Sequence, residues 1–69
     1  MLVTVNKKRI EIFNGATAGD AVLAYSGPSF LRVMNSTLVI YDRFGNETDP
    51  GGALMEGADI YIKKPKRHD

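Results

Sequence analysis

One stretch of the chain carries a complete helix signal, and the runs on either side of it read as strands. Thr17 is followed three residues later by Asp20, the capping-box spacing that opens a helix. Ala18, Ala21, Val22 and Tyr25 then fall at i, i+3, i+4 and i+7, on one face of about two turns. Ser26-Gly27-Pro28 closes the pattern, because Gly suits a left-handed cap and Pro cannot continue a helix. The spacing predicts a single helix over 17–26.

Before that helix, Leu2-Val3-Thr4-Val5-Asn6 and Arg9-Ile10-Glu11-Ile12-Phe13 are short, β-branched and alternating, with Asn6-Lys7-Lys8-Arg9 as a hairpin turn between them. After it, the apolar runs Phe30 to Met34 and Leu38 to Tyr41 read as two further strands around Asn35-Ser36-Thr37. Phe44 to Glu47 reads as a turn. Thr48 to Ala53 reads as a loop, because Asp49-Pro50-Gly51-Gly52 opposes both helix and strand. Ile60-Tyr61-Ile62 is the last strand. The expected order is strand, strand, helix, strand, strand, strand. One helix covering one face of a mixed four- to five-stranded sheet makes an α+β domain of two layers. Val3, Val5, Ile10, Ile12, Val22, Tyr25, Val33, Leu38, Ile40, Leu54, Ile60 and Ile62 are its expected core.

The chain has 69 residues, 43% of them hydrophobic. A domain of this size buries only ~60% of the surface its unfolded chain exposes, which leaves a thin core and no room for a deep enzyme cleft. There is no cysteine, which excludes disulfides, thiolate metal sites and thiol catalysis. No apolar run approaches the ~20 residues that span a bilayer, and no signal-peptide pattern opens the chain. A cytoplasmic protein without membrane contact is expected. Residues 1–64 are expected to form the domain and 65–69 a basic tail.

The order of elements resembles the ubiquitin-like β-grasp superfamily. Within it, the chain is most similar to the MoaD/ThiS-like sulfur carriers of molybdopterin and thiamine synthesis and to TGS domains. Four stretches carry the resemblance: Val3-Thr4-Val5-Asn6, Thr17 to Leu23, Val33-Met34-Asn35, and Leu54 to Ile62. Respectively they look like the opening strand and turn, the helix start, a middle strand, and the closing turn and strand. The resemblance implies a fold in which the first and last strands are parallel neighbours. It also implies a sulfur-carrier relative or a TGS-like RNA-binding module as alternative roles. Sulfur carriers end in Gly-Gly, whereas this sequence ends Pro65-Lys66-Arg67-His68-Asp69, so carrier chemistry is not expected of it.

No residue pattern calls for catalysis, a metal or a cofactor. His68 is the one histidine and lies next to the last residue, where a positioned acid or base is not expected. Ser26, Ser29 and Ser36 sit in turns with no histidine beside them, and turn chemistry explains them. Asp42, Asn46, Glu47 and Asp49 lack the alternating spacing of a calcium loop and read as a solvated turn. The charges are more informative. Seven of the nine basic residues form two clusters, Lys7, Lys8, Arg9 and Lys63, Lys64, Lys66, Arg67. Five of the eight acids lie between them in sequence: Asp42, Glu47, Asp49, Glu56 and Asp59. Parallel first and last strands would bring both basic clusters to one end of the sheet, where they would attract an anionic partner. The expected function is a small non-enzymatic interaction module whose partner is another protein or a polyanion such as RNA.

Overall fold

The computed structural model describes residues 1–65. Strands β1 (Leu2–Val5) and β2 (Lys8–Glu11) form a hairpin. Helices α1 (Ala18–Tyr25) and α2 (Gly27–Met34) follow. Strands β3 (Val39–Asp42), β4 (Glu47–Thr48) and β5 (Asp59–Lys63) complete a five-stranded sheet in the order β2-β1-β5-β3-β4. β1 and β5 are parallel, with Thr4 opposite Asp59 and Val5 opposite Ile60. The other pairings are antiparallel. This is the mixed sheet, with first and last strands side by side, that the resemblance implies.

Local chemistry accounts for most of these elements. Asn6 and Lys7 both have positive φ, 50° and 69°, as the two central residues of a type I′ hairpin turn require. Thr17 Oγ1 accepts from the Asp20 N–H at 3.1 Å, and the Asp20 carboxylate accepts from the Thr17 N–H at 3.0 Å, which closes the capping box of α1.

The expectation of one helix is corrected by α2. Phe30 to Met34 is helical, so Val33-Met34-Asn35 is a helix end and not a middle strand. Ser26-Gly27-Pro28 does end α1, but the same residues start the next helix. The Ser26 hydroxyl accepts from the Ser29 N–H at 3.3 Å, and Pro28 sits in the first turn, where its missing N–H has no helical partner to lose. The run Phe30-Leu31-Arg32-Val33-Met34 is too short for period alone to separate a strand from a helix. As a helix it turns Phe30 and Val33 to the core and leaves Leu31 and Met34 exposed. The fifth strand is instead β4, a two-residue edge paired with Ile40 and Tyr41.

The core lies between the helices and one face of the sheet. Val3, Val5, Val22, Ile40 and Ile60 are its largest fully buried side chains, and Val33 and Ile62 close it. Ile10, Ile12, Tyr25, Leu38 and Leu54 pack against its edge. Small residues let α1 lie close: Ala16, Ala18 and Ala21 are fully buried. A Cβ on Gly19 would stand 3.1 Å from the Pro50 carbonyl oxygen, which accepts a hydrogen bond from the Gly19 N–H.

Candidate functional site

The parallel pairing of β1 and β5 decides where the basic residues go. The Thr4 N–H donates to the Ala58 carbonyl at 2.9 Å and the Asn6 N–H to the Ile60 carbonyl at 3.0 Å. At Asn6 the chain turns away into β2, while β5 runs on to Lys63. The Ile62 N–H would then face no strand, and the Asn6 side-chain oxygen takes its hydrogen bond at 2.8 Å. That bond holds the β1–β2 turn against the last residues of β5. Lys7 follows Asn6 and Lys63 follows Ile62, so these two lysines come to the same end of the sheet.

Within that end the residues occupy different positions. Lys7 stands at the tip of the turn. Lys8 pairs with the core residue Val5 and therefore lies on the helix side of the sheet edge. Lys63 alternates with the buried Ile62 and lies on the open face, its ammonium 5.8 Å from the centre of the Tyr61 ring. Lys64 is exposed just beyond. Arg9 also lies on the open face, but level with Thr4 and Asp59. At ~3.3 Å per residue it sits roughly 13 Å short of Lys63 along the strands. Among the described residues, no ion pair engages Lys7, Lys8, Arg9, Lys63 or Lys64. Lys66, Arg67 and His68 lie outside the described residues.

The other end of the sheet carries carboxylates. Glu56 accepts from the Leu2 N–H at 2.9 Å. Asp59 accepts from the Thr4 hydroxyl and pairs with Arg43 at 3.3 Å. Asp42 uses one carboxylate oxygen to accept from the Phe44 N–H at 2.8 Å and the Asn46 N–H at 3.0 Å. Those bonds, the one from Asn46 foremost, hold its carboxyl below the ordinary carboxylate value. Its role is to fasten the β3–β4 turn, a role that residue spacing alone does not reveal. Asn6 was equally inconspicuous: its turn propensity is readable in sequence, whereas its bond to Ile62 depends on which strand lies beside it.

The fold is the ubiquitin-like β-grasp. A solved structure similar to this chain is that of SAMP1 from Haloferax volcanii, at 15% sequence identity and a TM-score of 0.64, with 99% of this chain and 97% of that one covered. No protein-family profile matches the sequence. No curated protein matches it either.

Proposed function

We propose that the chain is a non-enzymatic interaction module that receives an acidic protein surface at its lysine-bearing end. The observation that supports this reading is the 2.8 Å bond from Ile62 to Asn6, which fastens the turn that carries Lys7 to the end of β5 from which Lys63 and Lys64 follow. Lys7 adds a second argument. A side chain at φ 69° costs roughly 1–2 kcal/mol, which Gly would avoid. An outlier kept in place despite its cost points to a use for the residue, here a cation at the tip of the turn. The full-length likeness to SAMP1, a small modifier protein, favours a protein over a nucleic acid as the partner. The Asp, Glu, Lys and Arg side chains of the described residues all reach solvent, as a surface that binds by charge requires.

The test is a titration of isotope-labelled protein with polyglutamate, single-stranded RNA and heparin, followed residue by residue by NMR. Polyglutamate is expected to shift the amides of Lys7, Lys8, Lys63 and Lys64 together, and the shifts should fade as salt shortens the screening length to ~3 Å at 1 M. The double variant K7E/K8E should abolish the shifts and leave the fold intact, because exposed charges contribute little to stability. Tighter binding of RNA than of polyglutamate would favour a nucleic-acid partner instead. No shifts with any of the three at low salt would reduce the lysines to a solubilising edge.

A further inference from the structure

We propose that the opposite end of the sheet is a second docking site, a largely apolar groove that takes a basic partner segment carrying a large apolar side chain. The groove has a volume of about 400 Å³ and runs between the β3–β4 turn and the segment that leads into β5. Phe44 stands on one wall, and Leu54 and Met55 on the other. Phe44 is 80% and Met55 79% exposed, the two most exposed large apolar side chains among the described residues. They stand on opposite sides of one depression, and exposed apolar surface gathered in that way marks an interaction site where isolated side chains do not.

The walls are held in place. The Asp42 carboxylate clamps the turn through the Phe44 and Asn46 N–H groups, and Gly45 supplies the left-handed residue at φ 84°. Arg43 then ties the turn to the far wall, donating to the Gly57 carbonyl at 3.0 Å and pairing with Asp59 at 3.3 Å. These bonds fix the backbone beneath Phe44, so less order has to be imposed on the turn when a partner arrives.

Charge selects the occupant. Asp42, Glu56 and Asp59 line the groove, against the single guanidinium of Arg43. An acidic segment would be repelled there, whereas lysines or arginines flanking an apolar side chain would be attracted. This site is independent of the lysine-bearing end, and together the two make the molecule a connector between an acidic and a basic partner.

The test uses three synthetic ten-residue peptides with the labelled full chain. One carries a Leu-Phe core flanked by lysines, one the same core flanked by glutamates, and one lysines without the core. Only the first is expected to shift the amides of Phe44, Met55 and Gly57. The variant F44S/M55S, which changes exposed side chains alone, should weaken it at least about tenfold, as loss of two anchors does. K7E/K8E should leave it unchanged, which separates this site from the lysine-bearing one. Equal binding of the glutamate-flanked or core-less peptide would overturn the proposal, as would shifts elsewhere or none at all. Concentration-dependent shifts at Phe44 without peptide would assign the groove to a second copy and overturn it as well.

Discussion

The side-chain oxygen of Asn6 lies 2.8 Å from the backbone nitrogen of Ile62 and accepts its hydrogen bond, although the two residues are 56 positions apart. It continues the β1–β5 ladder one step past the point where the backbone of β1 has left it. Removing it strands a half-buried N–H, which costs about 1–3 kcal/mol. Asn6→Ala also forces an alanine to φ 50°. Urea unfolding should show a loss of at least about 2 kcal/mol on these two grounds. Asn6→Asp keeps the acceptor and should recover most of it. Hydrogen exchange at the Ile62 amide should quicken in the alanine variant and not in the aspartate one.

Lys7→Gly should stabilise the domain. Gly adopts φ 69° without the Cβ clash, a gain of up to about 1 kcal/mol after its larger unfolded-state entropy is deducted. For a domain of this size, 1 kcal/mol corresponds to roughly 4–8 °C in Tm. The same variant should bind polyglutamate more weakly. A rise in Tm with weakened binding identifies Lys7 as a residue retained for its charge.

Gly19→Leu should destabilise the domain by up to about 2 kcal/mol. The Cβ alone would meet the Pro50 oxygen at 3.1 Å and the Phe30 ring at 3.5 Å, and Gly19 is buried, so a longer side chain must displace its neighbours. Overpacking of this kind costs about 1–3 kcal/mol, more than the ~1 kcal/mol that helix propensity returns. Thermal unfolding measures it, and an unchanged or raised Tm would show that the 48–53 loop yields freely.

Acid should loosen the β3–β4 turn before it unfolds the domain. The folded pKa of Asp42 is lowered, foremost by the hydrogen bond from the Asn46 amide, so its contribution is present above the ordinary value of 3.8. It is lost as pH falls through the lower folded value. Amide exchange at Phe44 and Asn46 should rise over that interval, and Asp42→Asn should remove the pH dependence at those two amides.

Features set by neighbours in the chain were legible without a structure. The capping box links Thr17 and Asp20, three residues apart, and the turn at Asn6 and Lys7 needs only residues that tolerate positive φ. Alternation marked Val3, Val5, Ile60 and Ile62 as core, and all four are buried. The strand and helix signals carried the reading as far as a two-layer α+β domain, and the β-grasp architecture was implied by the resemblance of four stretches to that superfamily. Tertiary structure decided the rest, because burial and not local preference chose between states of similar energy. Phe30 to Met34 suits a strand or a helix, and the space beside α1 settled it, taking Phe30 and Val33 and leaving Leu31 outside. Glu47–Thr48 became a strand because β3 offered a free edge. Phe44 and Met55 are separate apolar residues in the sequence; they share a groove because Arg43 ties the turn of one to the segment of the other. Contacts between residues distant in the chain depend on a packing that exists only once the whole sheet has formed, and no local pattern encodes them.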